Sequence, residues 1–300
     1  MVVARNPSVD AIKGVLMLFV VLGHVLLGNI DNNIFRYVIY SFHMPVFFFV
    51  SGYLINTDKL AKLTMRQLFT KYWKRMISMW CVAWIVYTTY VVYGHFNVGY
   101  LLGCIYHPYY HLWFIPSLFM MITIVWICAK KSVIHRTGLV ILYMIGILLF
   151  NLSYTKIAIS AAWNCSMLPF FLLGVISQRY FVNLNTGGSK FILLYFIAVI
   201  IINLCIDNTI LFYRTYLMLP MVGLLCIMGL LPMIHTGRFH CGILEYWGRN
   251  SLPIYLWHVA PIIILKEVWS DTPIIYYTIS VIMLIMFVII SCFLNKKSII

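Results

Sequence analysis

Apolar residues along this chain fall in runs of roughly 20, separated by short polar segments, which is the length a helix needs to cross a hydrocarbon layer about 30 Å thick. The runs are 9–27, 35–55, 76–93, 112–129, 137–152, 159–181, 191–206, 211–231, 248–266 and 273–294. Hydrocarbon offers no partner to backbone N–H and C=O groups, and these runs far exceed the alternating strands of a membrane barrel, so each is predicted to be a helix. The expected fold is an all-α integral membrane protein, a bundle of about ten transmembrane helices with both termini cytoplasmic.

Lysine and arginine positions orient the bundle, because cytoplasmic loops carry the excess of positive charge. With the N-terminus inside, only Arg36, Lys156, Arg214 and Lys266 of the 21 Lys and Arg face outward. The segment 94–110 has neither residue and is expected to be an external loop. No repeat, low-complexity tract or loop of domain size interrupts the pattern, so residues 1–300 are expected to form a single membrane domain. The N-terminal run lacks a small-residue cleavage site and is too long for a signal peptide's apolar region, so the first helix is expected to be retained.

Composition agrees: 63% of residues are hydrophobic and 9% charged. The net charge of +14 would suit a nucleic-acid partner if it were gathered on one soluble face, but it is spread among short loops, and no nucleic-acid binding is expected. Eight cysteines are scattered without a CxxC pair, mostly inside apolar runs, and read as packing residues. The connection 56–75 interleaves Lys59, Lys62, Arg66, Lys71, Lys74 and Arg75 with apolar residues and is expected to form an amphipathic helix at the inner surface. Anchoring on anionic membrane lipid would account for it equally well.

Ionisable and polar side chains at membrane depth are costly and therefore mark candidate sites. On the first helix Asp10, Lys13 and His24 lie within an arc of about 60°, with His24 about 16 Å beyond Lys13. The second helix runs antiparallel, and the same rise puts His43 in nearly the same layer as His24. On the ninth, Ser251, Tyr255 and His258 are spaced by four and three and share a face. The sixth buries Asn164, and the fourth opens with His111 and Trp113 at the outer boundary. Trp113 alone fits an interfacial belt, although with Tyr106, Tyr109 and Tyr110 it also suits stacking on a sugar. A lone intramembrane histidine can be a hydrogen-bonded packing element. None of the spacings is a metal-ligand motif such as HExxH, and no metal is expected.

These residues sit in segments that resemble the acyltransferase-3 membrane proteins, in particular bacterial sugar O-acetyltransferases similar to fucose 4-O-acetylase. The matching pieces are VDAIKGVLMLFVVLGH (9–24), SFHMPVFFFVSGYL (41–54), HLWFIPSLF (111–119), LPFFLLG (168–174) and WGRNSLPIYLWH (247–258), in order along the chain. The resemblance implies a multi-pass enzyme of the bacterial cytoplasmic (inner) membrane that takes an acyl group, usually acetyl, from cytoplasmic acetyl-CoA. The acceptor it implies is a hydroxyl of a surface polysaccharide or its lipid-linked sugar precursor. The family's basic residue and histidine, with ten residues between them on the first helix, correspond to Lys13 and His24. Many members carry Arg where this chain has Lys13, so a bidentate fork is lost while the charge is kept.

On that resemblance His24 is expected to act as base, with Lys13 and His43 as further catalytic residues, and Lys71, Lys74 and Arg75 to hold the phosphates of coenzyme A. Asp10, Asn164, Trp113, Ser251, Tyr255 and His258 are expected to line the substrate cavity. A transporter or exporter using the same polar face as a path, without covalent chemistry, is the alternative from another class. A purely structural scaffold would leave the intramembrane histidines unexplained.

Overall fold

The computed structural model describes residues 6–28, 33–93, 97–109, 111–152, 163, 166–180, 226–227, 229–234 and 236–297. All regular structure among them is helical. The chain forms two compact units, 1–47 with 219–300 and 48–218.

In the first unit, α1 (Pro7–Val25) begins at Asn6, whose side chain accepts the Ser8 N–H at 3.0 Å, with Pro7 supplying a preset φ in the first turn. That end is pinned further: Asn6 Nδ2 donates to the Ile234 carbonyl at 2.8 Å, and Ser8 Oγ donates to the Phe239 carbonyl at 2.9 Å. Across α1 lies α10 (Gly242–Arg249), and the two backbones meet at reciprocal glycines. A β-carbon on Gly14 would overlap the Leu244 carbonyl, and one on Gly248 the Asp10 carbonyl, so this contact tolerates no side chain at either position. Asn250 ends α10, its N–H and side-chain amide both donating to the Tyr246 carbonyl. Helix α11 (Ser251–Trp257) then starts with Pro253 in its first turn and continues through His258 into α12 (Val259–Trp269). The ninth predicted helix therefore divides at Asn250, with Gly248 and Arg249 on α10 and the membrane-length helix running over Ser251–Trp269.

Helix α13 (Pro273–Lys297) packs on α10 and α12, and Tyr276 Oη donates to the Val25 carbonyl at 2.7 Å where α1 ends. Its other faces expose Val281, Ile282, Ile285, Met286, Ile289 and Ile290, each about half accessible. A water-soluble surface does not carry an apolar band of that extent; lipid accounts for it. Among the described residues three helices are long and apolar enough to cross a membrane, Pro7–Val25, Ser251–Trp269 and Pro273–Cys292.

Helix α2 (Ile34–Tyr53) contributes its first part to this unit and its last turns to the other. In the second unit, the last turns of α2 meet α9 (Leu168–Tyr180) at a second glycine pair, where β-carbons on Gly52 and Gly174 would overlap the carbonyls of Phe171 and Phe49. The connection 56–75 is two short helices rather than one. Helix α3 (Thr57–Ala61) packs on α7 (Phe114–Lys130), and α4 (Met65–Tyr72) opens on a capping box between Thr64 and Gln67. A π-helical turn at Trp73–Ile77 leads into α5 (Ser78–Val92). The expected external loop contains α6 (Val98–Tyr106), capped by Asn97 and tied down by Trp84 Nε1 donating to the Cys104 carbonyl at 3.0 Å. Helix α8 (Arg136–Leu152) packs on α9. The seventh predicted helix lies outside the described residues, as do most of the eighth and the first part of the sixth.

A histidine and tyrosine layer as candidate active site

Four rings form a continuous row in the first unit. The His43 ring lies 4.9 Å from Tyr40, Tyr40 lies 6.1 Å from His24, and His24 lies 5.1 Å from His258. Each contact is edge-to-face, the geometry favoured by ring quadrupoles. Tyr255 extends the row, its ring 6.2 Å from His258. Helices α1, α2 and the α11–α12 helix thus each send an imidazole to one layer, with Tyr40 between two of them. Tyr40 also fills the space in front of Gly23, where a β-carbon would come within 2.9 Å of its ring.

Local hydrogen bonds fix two of the imidazoles. His43 Nδ1 is 2.6 Å from the Ile39 carbonyl, and His258 Nδ1 is 2.8 Å from the Tyr255 carbonyl and 3.1 Å from that of Ile254. A carbonyl oxygen can only accept, so Nδ1 carries the proton in both rings, and in the neutral ring Nε2 is left with a lone pair. Both bonds reach back three or four residues along the ring's own helix, so the tautomer is built in by the secondary structure. In α2 this happens beside Pro45, which has no N–H to give the Ser41 carbonyl.

Toward the start of α1, Lys13 Nζ lies 3.9 Å from Asp10 Oδ1, with Asp10 buried and Lys13 half-buried. Asp10 is in the first turn, where the helix dipole favours a carboxylate. Lys13 and His24 share the helix but are separated by about 16 Å of rise, so they form two tiers of one stripe. Ser251 is half-buried at the start of α11, seven residues and about 10 Å from the His258 tier.

The remaining sequence candidates belong to the second unit or lie outside the described residues. Trp113, half-buried, packs its ring 6.1 Å from Phe48, and the buried His111 lies 5.5 Å from the Tyr87 ring. Lys71 lies in the last turn of α4, and Lys74 and Arg75 sit on the π-helical turn, all exposed. Partial burial, and then the charges of Arg75 and Lys59, hold the Lys71 ammonium below its ordinary pKa. Asn164 is outside the described residues.

Three features went unread in the sequence. Tyr40 is in the row of rings, yet a tyrosine in a chain that is 17% aromatic carries no signal by type. Its signal is spacing: Arg36, Tyr40 and His43 repeat the four-and-three pattern of Ser251, Tyr255 and His258. Arg36 stands over the Tyr40 ring at 5.3 Å. In the second unit Arg179 Nη1 donates to Asp58 Oδ1 at 2.8 Å and to Thr57 Oγ1 at 2.5 Å, beside an open cavity of about 390 Å³ that Asn56 and Gln178 also line.

Residues 6–296 match the family described as acyltransferase domain. An 86-residue segment is 36% identical to the nodulation protein NolL of Sinorhizobium fredii (strain NBRC 101917 / NGR234), covering 26% of this chain and 24% of that protein. The chain therefore aligns with about a quarter of that curated relative's length. No solved structure matches.

Proposed function

This chain belongs to the acyltransferase-3 family, a membrane acyltransferase by its fold and family, and from that premise we propose that it carries acetyl from cytoplasmic acetyl-CoA to a hydroxyl of a surface glycan or its lipid-linked sugar precursor. The observation that supports this most is the row of rings, with His24 between Tyr40 and His258 at the depth of the spanning helices. Such a row supplies a base among half-buried rings, where preorganised groups stabilise charge more than they do in open water.

In the proposed reaction His24 removes the acceptor hydroxyl's proton as the oxygen attacks the thioester carbonyl. A tetrahedral oxyanion forms, collapses with loss of the coenzyme A thiolate, and that thiolate takes the proton back from the imidazolium. His43 and His258, with Nδ1 committed to backbone carbonyls, present Nε2 as acceptors that orient the incoming hydroxyl or the His24 ring. Tyr255, Ser251 and Asn164 are the proposed donors to the oxyanion or the sugar, and Trp113 a stacking surface for it. Lys13, paired with Asp10 on the inner tier, is the proposed cation for the diphosphate end of the donor's neutral pantetheine arm. Lys71, Lys74 and Arg75 take the nucleotide phosphates by charge-assisted hydrogen bonds. The reading is completed by about ten spans in a single domain, both termini cytoplasmic, in the bacterial inner membrane, as the Lys and Arg distribution favours.

The test is turnover of acetyl-CoA by purified protein in detergent or nanodiscs. His24→Ala is expected to lower thioester turnover by about 10³-fold, within the range for loss of a general base, while the protein stays monodisperse. Undiminished turnover in His24→Ala would remove the mechanism.

A further inference from the structure

Above the ring layer two helices carry matching ladders. On α2, Arg36, Tyr40 and His43 share a face, and Arg36 stands seven residues, about 10 Å, from His43. On Ser251–Trp269, Tyr255, His258, Ile262 and Lys266 fall within an arc of about 80°, and Lys266 stands eight residues, about 12 Å, beyond His258. The lower rungs meet in the row of rings. The upper rungs both flank the end of α1: Arg36 donates to the carbonyls of Leu26 and Gly28, and Lys266 follows Leu265, which packs with Val25.

Both cations are half-buried, and among the described residues neither is joined to a carboxylate. Arg36 is held in place: Nη1 donates to the Leu26 carbonyl at 3.4 Å and to that of Gly28, at the negative end of α1, while Nε is buried with no hydrogen-bond partner among the described residues. Lys266 rises from the last turn of α12, beside the apolar cluster of Val25, Ile262, Leu265 and Tyr276. Two like charges brought together in partly desolvated surroundings repel, and both sit on the outer side, where topology selects against Lys and Arg. An oxyanion between them offsets that cost, and the unmet Nε belongs to a guanidinium whose planar fork fits phosphate or carboxylate.

We infer that Arg36 and Lys266 bind an oxyanion of the acceptor, so that the acylated hydroxyl belongs to an anionic glycan whose phosphate or carboxylate lies about 10 Å from it, one or two sugar units along. This rests on the acyl-transfer reading for the identity of the ligand but has its own readout, equilibrium binding. The probes are a tetrasaccharide carrying uronate groups, the same tetrasaccharide methyl-esterified to neutrality, and a short-chain polyprenyl diphosphate N-acetylglucosamine. They are titrated onto the full chain in zwitterionic nanodiscs. Wild type is expected to bind the uronate or the diphosphate at least about tenfold more tightly than the neutral ester, with the preference shrinking as salt rises. Lys266→Glu abolishes the preference, Lys266→Gln reduces it, and Arg36→Lys, which keeps charge but not the fork, falls between them and wild type.

Equal binding of the charged and esterified glycans, or a preference that survives Lys266→Glu, would overturn the inference. So would binding to phosphatidylglycerol nanodiscs without discrimination among glycans, since the pair would then serve lipid headgroups. Selective glycan binding by a protein that never turns over acetyl-CoA would leave the anion site standing and remove the acyl-transfer reading. Turnover with equal use of both glycans would do the reverse.

Discussion

In the first unit the backbones of α1 and α10 touch at Gly14 and Gly248, and in the second those of α2 and α9 touch at Gly52 and Gly174. Around the first contact lie the buried Asp10 and the half-buried Lys13, and the same helix carries His24 into the ring layer. Around the second lie Phe48, Phe49, Phe170 and Phe171, each 0–1% accessible, and the ion pair described in that unit, Arg179–Asp58, joins the last turn of α9 to the first turn of α3. In lipid, apolar side chains gain little by leaving the solvent, so helices associate through close packing, which small residues permit. Both units use that device, and in the first it is combined with a buried carboxylate on the same helix that carries an imidazole into the ring layer. The motif pieces that mark the family therefore mix two kinds of residue. Gly14, Gly52, Gly174 and Gly248 make backbone contact, while His24, His43 and His258 supply titratable groups.

The comparison can be broken most severely at the glycines. Gly248→Ala and Gly174→Ala each force a β-carbon into a backbone carbonyl that cannot rotate away, and each is expected to cost at least about 3 kcal/mol, the upper end for overpacking. Gly103→Ala in α6 is the control, because its β-carbon meets nothing within 4 Å, and it is expected to be neutral or to stabilise by about 0.5 kcal/mol. Thermal melting in detergent measures all three. If the two units are equivalent in packing, the first two variants lose stability alike although only one lies beside the polar stripe. A smaller and sharper effect is expected from Lys71→Ala, Lys74→Ala and Arg75→Ala combined. Removing three cations that contact a polyphosphate should raise the acetyl-CoA KM by about 10- to 100-fold, with kcat changed far less, as for loss of binding shared by ground and transition states. A fall in kcat alone would move these residues from donor binding to the fold.

Periodicity made part of this legible and hid the rest. Run length identified α1, α2, α7 and α13 as apolar helices because a span must be long and uniformly apolar. It missed the break at Asn250, since one polar residue barely lowers a windowed average, and it missed α6, whose nine residues are too few to span and lack the charge that orients a loop. Counting residues along antiparallel helices brought His24 and His43 to one depth, which a fixed rise of 1.5 Å per residue permits. It carried no information about azimuth, so Tyr40, which fills the space between those two rings, went unread. The Nδ1 bonds of His43 and His258 were equally hidden: every helical histidine has a carbonyl four residues back, and only the rotamer decides whether it is used.

Tyr40 sharpens the comparison at its finest scale, because a ring in contact with two histidines can act through its shape or through its hydroxyl. Its edge-to-face contacts at 6.1 Å to His24 and 4.9 Å to His43 involve the ring, and so does the Arg36 guanidinium at 5.3 Å. Tyr40→Phe keeps all three and is expected to hold kcat within about threefold of wild type, whereas Tyr40→Ala opens a gap beside Gly23 and lets His24 turn, for a loss of about tenfold. The pH profile separates positioning from proton transfer. If Tyr40 only positions His24, the acidic limb of kcat stays where it is in Tyr40→Phe and the rate falls without change of shape in Tyr40→Ala. A Tyr40→Phe variant that loses activity as fully as His24→Ala would instead put the phenol in the proton path, and the ring row would then be a relay rather than a scaffold around one base.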